Sequence, residues 1–168
     1  MNIKRLLMLT LVMLPLAVMA QMKIATVDVQ AVFDAMPESK LASEQLEKAS
    51  QQYKAEYEMM QMEFNGKYAA YQGLASDTPA TIRDRRVREI QDTNSEIEAF
   101  LARSQASLNA MKQELEAPIY AKINAAIKEV GDNGRYTYII DVSKTPVVYS
   151  GVNAIDLTNQ VKKALGVE

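Results

Sequence analysis

The sequence contains no cysteine, no histidine and no tryptophan. Without cysteine there is no disulfide framework, no thiolate nucleophile and no sulfur ligand for zinc or an iron–sulfur cluster. Without histidine the most common general base and metal ligand are both missing, so acid–base or metal chemistry would rest on carboxylates alone. Glycine and proline are scarce, six and five in 168 residues, which leaves long stretches free of helix breakers. Basic residues are not in excess either. The net charge is −2, and becomes −4 when Lys4 and Arg5 are set aside with the leader segment. That mild acidity argues against a nucleic-acid binder.

What is present begins with an export signal. Lys4 and Arg5 precede an apolar run over residues 6–16, and Val18-Met19-Ala20 forms a small-residue cleavage pattern before Gln21. The run is short for a membrane span and contains Pro15. Residues 1–20 are therefore read as a signal peptide cleaved near Ala20 and Gln21, which puts the mature chain in the periplasm of a two-membraned bacterium. A retained N-terminal anchor is the competing reading. No cysteine follows the cleavage point, so a lipidated N-terminal cysteine is excluded.

Two long helices dominate the rest, with a break at residues 73–80. The second carries the more regular pattern: Val87, Ile90, Asn94, Ile97, Leu101, Ser104, Leu108, Met111 and Leu115 alternate steps of 3 and 4. This is the period of a coiled-coil seam. The first, over residues 38–72, carries a looser stripe of Leu41, Leu46, Ala49, Tyr53, Tyr57, Met60, Phe64, Tyr68 and Tyr71. The break, Gly-Leu-Ala-Ser-Asp-Thr-Pro-Ala, has turn chemistry, with Thr78 as the expected cap and Pro79 as the first residue of the new helix. A fold about residues 76 and 77 sets Phe64 against Ile90, Tyr57 against Ile97, Tyr53 against Leu101 and Leu46 against Leu108. The pattern predicts an antiparallel helical hairpin, an arm over residues 38–118 with its tip at 73–80. The second helix is expected to run to Val130 and stop at Gly131, with a kink at Pro118.

The remaining segments form a small body, residues 21–37 and 119–168. Residues 23–29 and 136–142 read as strands and residues 146–150 as a short third strand. Residues 30–36 read as one or two helical turns bringing Val32 and Phe33 inward. Asp156 is placed to cap a closing helix with Leu157, Val161 and Leu165 on one side and Gly166 at its end. The fold class is α+β, with the arm inserted between strands of the body. A body of 67 residues without disulfides buries little surface, so oligomerisation is expected.

Several residues invite a function. Met59, Met60 and Met62 cluster with Tyr57 and Phe64, and cannot all lie on one seam because successive helical positions turn by about 100°. Adaptable methionines facing outward would suit weak contact with many client sequences; filling gaps in the seam is the alternative. Lys67, Arg83, Arg85, Arg86 and Arg88 stand against Asp77 and Asp84, making residues 67–88 a net +3 on an acidic chain. This basic arm tip could steer toward anionic membrane or acidic segments, or pair internally with Asp84 and Glu89. Asn94 and Ser104 are polar seam positions of the kind that fix register. Asp28 and Asp141 each sit in a strand and could form an acid/base or metal pair; strand-end carboxylates taking backbone hydrogen bonds are the better reading. Gly131-Asp-Asn-Gly134 lacks the context and lysine of a phosphate loop. No catalytic residue, metal site or cofactor is assigned.

The sequence also resembles a known family. Lys23-Ile-Ala-Thr-Val-Asp-Val-Gln-Ala-Val-Phe33 with Met36-Pro37-Glu38 is similar to the opening of the Skp/OmpH family of periplasmic chaperones. Pro118-Ile-Tyr-Ala-Lys-Ile123, Tyr136-Thr-Tyr-Ile-Ile-Asp141, Val147-Val-Tyr-Ser150 and Ile155-Asp-Leu-Thr158 resemble its closing half, in order along the whole mature chain. The resemblance implies a homotrimer whose strands form a central β-body and whose arms enclose unfolded outer-membrane proteins without ATP. Ile24, Val27, Ile139 and Val147 are then the candidates for the trimer body. The best-known members are strongly basic and this chain is not, which limits contact with lipopolysaccharide or anionic membrane to a weak one. A different class of function is a structural or adaptor coiled-coil protein of the envelope that binds one folded partner.

Overall fold

A computed structural model of the chain describes residues 22–167. The signal-peptide segment lies outside the described residues. Strand β1 (Ile24–Val27) turns Ala25 and Val27 inward and leaves Ile24 exposed, following its apolar alternation. It ends because Asp28 caps a helix: its carboxylate accepts the N–H of Ala31 at 2.9 Å and starts α1 (Val29–Ala35). Val32 and Phe33 are carried into the core as expected. Met36 is extended, as the residue before a proline prefers. Its carbonyl takes the N–H and hydroxyl of Ser39, at 3.1 and 2.7 Å, closing the turn.

Helix α2 (Pro37–Gln72) starts at a proline, which needs no N–H partner there. Its 36 residues span about 54 Å. Helix α3 (Ala80–Gly134) is longer, 55 residues, and continues unbroken through Pro118. The two pack antiparallel: Tyr53 meets Phe100 edge-on at 6.1 Å, and Lys122 pairs with Glu38 at 2.7 Å near the other end. Thr78 is not the cap. Pro79 stands at that position without a side-chain bond, and helical hydrogen bonds begin from its carbonyl to Ile82 and Arg83.

The seam departs from the sequence pattern in four places. On α2, Ala42 and Lys67 take the inward positions expected of Leu41 and Tyr68, which are exposed. On α3, Thr93 and Phe100 replace Asn94 and Leu101: Phe100 is 8% exposed and Leu101 47%. A helix of 3.6 residues per turn drifts about 20° per heptad against a strict seven-residue repeat. One-residue slips of the inward face correct that drift. Phe100 also meets Tyr53 where Leu101 would bring only a smaller side chain. Asn94 therefore faces solvent and bonds Glu98 at 2.7 Å, while Ser104 is buried with no partner for its hydroxyl among the described residues.

Gly131 is not the stop expected of it. It is buried inside α3, where a Cβ would come within 3.0 Å of Ile139 Cδ1, so its smallness serves close approach of the helix to the sheet. The helix ends at Arg135, left-handed at φ 53°. The Arg135 N–H bonds Asp132 O and the Tyr136 N–H bonds Gly131 O, a full Schellman closure. Strand β2 (Tyr138–Asp141) then pairs parallel to β1, with Ile24 opposite Tyr138 and Val27 opposite Asp141. Residues 146–150 form no strand. The carboxylate of Asp141 takes the N–H and hydroxyl of Ser143 and turns the chain away, and Pro146 has no N–H to offer a ladder. The other edge of β1 is instead bridged at Asp156, with the Thr26 N–H on Ile155 O at 2.8 Å. Asp156 accepts the Thr158 N–H at 2.9 Å just ahead of α4 (Thr158–Leu165), but it is not the cap expected of it: Leu157 holds that position without a side-chain bond, and the helix ends at Gly166 with φ 70°.

One core joins these pieces. Ala25, Val27, Val32, Phe33 and Met36 from the N-terminal end meet Ile119, Ile123 and Ala126 of α3 and Leu157 and Val161 from the C-terminal end. Phe33 stacks on Tyr120 at 5.0 Å. Beyond Ala42, α2 adds nothing to it. The molecule is mostly helical, with a small two-stranded sheet. Among the described residues no helix is long and apolar enough to cross a membrane.

Candidate functional site

The five clustered residues of α2 divide into two groups. Tyr57, Met60 and Phe64 fall on the seam and are half-buried toward α3. Met59 and Met62 point away from it and are 59% and 65% exposed. They lie one helical turn apart, with Ala55, Gly66 and Ala69 continuing the same exposed face at spacings of 3 and 4. The outward side of α2 therefore presents two flexible thioethers flanked by small residues. Polar side chains of the seam do not interrupt it.

The basic residues also divide. Lys67 is not at the tip: its ammonium donates to Thr93 Oγ1 at 2.7 Å and pairs with Glu63 at 2.7 Å. The hydrogen bond to Glu63 holds the Lys67 ammonium above its ordinary pKa. Arg83 is a staple of the turn. Its guanidinium donates to the carbonyls of Ala75, Ser76 and Thr78 at 3.1, 2.6 and 3.1 Å, adding to the Thr78 N–H that the Ala75 carbonyl already accepts. Arg86 and Arg85 both reach Glu89, at 2.7 and 3.7 Å. The bond from Arg86 holds the Glu89 carboxyl below its usual range. Arg88 is exposed and makes no ion pair among the described residues. The outward positive charge thus centres on Arg85 and Arg88, a smaller patch than the sequence outlines.

The trimer-body candidates separate by sheet face. Val27 and Ile139 serve this chain's own core, Val27 within it and Ile139 packed against it beside Gly131. Ile24 lies on the outward face next to Tyr138, and Thr26 next to Ile140. Val147 is exposed in the irregular segment that follows, with Val148 at 99% and Tyr149 beside it. Sequence reasoning missed Tyr138, Ile140, Val148 and Tyr149. The signal available was the strand period of two, which turns Tyr138 and Ile140 to the face opposite Ile139, and the apolar run Val147-Val148-Tyr149 after Pro146.

Asp28 and Asp141 hold backbone rather than each other. Burial pushes the Asp141 carboxyl up, but bonds from the Ser143 hydroxyl and N–H and from the Val29 N–H outweigh it and keep its pKa low. Burial raises the Tyr120 phenol. No group of three or more acidic, histidine or cysteine side chains among the described residues is placed to hold a metal. What the described residues present at these positions is surface.

The family model for outer membrane protein (OmpH-like) matches residues 23–165. Chaperone protein Skp of Pectobacterium atrosepticum is 28% identical over 150 residues, covering 88% of this chain and 87% of that protein. A crystal structure from Caulobacter crescentus CB15, named for an OmpH-like outer membrane chaperone, superimposes with a TM-score of 0.68 at 16% identity. It covers 84% of this chain and 82% of its own, and speaks to the fold. A match running from the first strand to the closing helix places the chain in the OmpH-like outer membrane protein family.

Proposed function

We propose that this chain is an ATP-independent periplasmic holdase that keeps unfolded outer-membrane proteins soluble between the helical arms of a homotrimer. Residues 21–37 and 119–168 are the body in this reading, and residues 38–118 the arm. The observation that carries it is the outward face of α2, where Met59 and Met62 stand exposed with no neighbour to cover them. Unbranched thioethers repack against different sequences at low cost, which suits weak and reversible holding of many clients. The outward sheet face of Ile24, Tyr138 and Ile140, and the exposed Val148 and Tyr149 of the segment after it, support assembly through the body. Exposed apolar side chains of this size on a small core call for a partner.

The test combines mass in solution with suppression of aggregation of a denatured outer-membrane β-barrel protein. The expected result is a trimer that suppresses aggregation without nucleotide, and weaker suppression by M59Q/M62Q at unchanged helicity. A stable monomer overturns the assembly. One tight stoichiometric complex with a folded envelope protein, with no suppression, favours the adaptor reading. The tip contributes only weak contact with anionic lipid, through Arg85 and Arg88. R85S/R88S should reduce binding to anionic vesicles at low salt, and unchanged binding removes that part of the reading.

A further inference from the structure

We infer that Met59 and Met62 are methionine-sulfoxide sites through which a peroxide reversibly lowers the holding capacity of the arm. The sequence has no cysteine and no tryptophan to intercept an oxidant first, which leaves thioethers as its most readily oxidised side chains. Six methionines fall within the described residues, and their surroundings differ sharply. Met36 is 2% exposed in the core, while Met60 and Met111 are half-buried in the seam between α2 and α3. Met59 and Met62 stand one turn apart on the open face. Met22 is also exposed, but it precedes β1 and is remote in sequence from α2.

The chemistry balances with hydrogen peroxide as the oxidant. The thioether sulfur attacks one peroxide oxygen, the O–O bond breaks, and an S–O bond forms. The departing hydroxide removes the proton from the newly bound S–OH oxygen, leaving the sulfoxide and one water. Sulfur is oxidised by two electrons and peroxide is reduced by the same two. The product is a polar, chiral sulfoxide with a strong acceptor oxygen where an apolar chain end had been. Sulfoxide reductases return it to the thioether.

Position decides the consequence. A sulfoxide on the open face takes nothing from the α2–α3 seam, so the helices keep their packing while the exposed face becomes polar. A sulfoxide at Met60 would instead enter the seam and loosen it. Selective oxidation of the outward pair therefore predicts loss of holding at constant helicity. This consequence rests on the reading of the outward face as client-holding; the selectivity of oxidation does not.

The experiment treats the full mature protein with graded hydrogen peroxide, maps sulfoxides by peptide mass spectrometry, and records far-UV circular dichroism and aggregation suppression. Met59 and Met62 should oxidise several-fold faster than Met60, Met111 and Met36, with helicity unchanged and suppression reduced. Methionine sulfoxide reductase should restore it. Each protein is compared with its own untreated sample, and the peroxide-induced loss should disappear in M59L/M62L, which retains Met22. Equal oxidation of Met60 or Met36, or a loss of the same size in M59L/M62L, overturns the inference. Untreated M59Q/M62Q that suppresses aggregation like the unmodified chain removes the client-holding reading instead, and the functional consequence with it.

Discussion

Replacing Phe100 and Leu101 one at a time by alanine tests the seam directly, because these neighbours exchange roles between the heptad pattern and the structure. Phe100 is 8% exposed and contacts the Tyr53 ring at 6.1 Å; Leu101 is 47% exposed. A buried phenyl side chain removes roughly 150 Å² of apolar surface, and at about 25 cal/mol per Å² its removal costs about 4 kcal/mol. Alanine keeps part of that surface, which lowers the figure to about 3 kcal/mol, and the lost edge contact with Tyr53 adds about 1 kcal/mol. Leucine is worth about 2 kcal/mol when fully buried, so at half exposure L101A should cost about 1 kcal/mol. Urea unfolding followed by far-UV circular dichroism gives the two values. Amide hydrogen exchange across residues 50–105 should show that F100A loosens the α2–α3 section before the core. If L101A costs as much as F100A or more, the inward face follows the seven-residue repeat and the packing described for Thr93, Phe100 and Tyr53 is wrong.

Three further outcomes follow from local geometry. Arg135 closes α3 in the left-handed region, which costs a side-chain-bearing residue about 1 kcal/mol; R135G should raise stability by about 0.5 kcal/mol after glycine's greater unfolded-state freedom is set against it, and a loss of stability refutes this. Asp141 has a lowered pKa in the folded chain, so its stabilisation is present above the unfolded value of about 3.9 and is lost as pH falls through the lower folded value. D141N should therefore cost about 1 kcal/mol at neutral pH, with the gap from the unmodified protein closing in acid; a gap that stays constant with pH refutes the assignment. R83A takes the guanidinium from the carbonyls of Ala75, Ser76 and Thr78, leaving Ala75 with only the Thr78 N–H, and should speed amide exchange at the tip while costing about 1 kcal/mol or less overall, whereas unchanged exchange would leave Arg83 with charge as its only role.

Helix existence and the inward Val32, Phe33, Leu157 and Val161 were legible because long apolar periods survive without tertiary information. What the sequence could not specify was which of two adjacent side chains faces inward once a helix drifts against its repeat. Asn94 versus Thr93 is such a case: the choice depends on Lys67, 26 residues away, reaching the threonine hydroxyl. Gly131 was read as punctuation because glycine commonly ends helices, yet close approach of Ile139 uses it inside one. Met60 falls on the apolar stripe of the sequence and Met59 and Met62 fall off it, so the exposure of those two was legible from helical spacing. For the tip the reverse holds. Its charge was visible, and only coordinates reveal that Arg83 and Lys67 are occupied.

The parallel pairing of β1 with β2 bears on how the chain folds. Ile24 cannot find Tyr138 until all of α2 and α3 has been made, since both helices lie between them in the chain. Closing so long a loop as free coil costs entropy and slows folding. The two helices need only near-neighbour hydrogen bonds and a short turn to form. Once paired, they carry the chain out and back and return α3 beside its starting point, so the search left to β1 and β2 is short. Pairing of α2 with α3 thereby shortens the search for the sheet, and lesions in their seam should delay its formation.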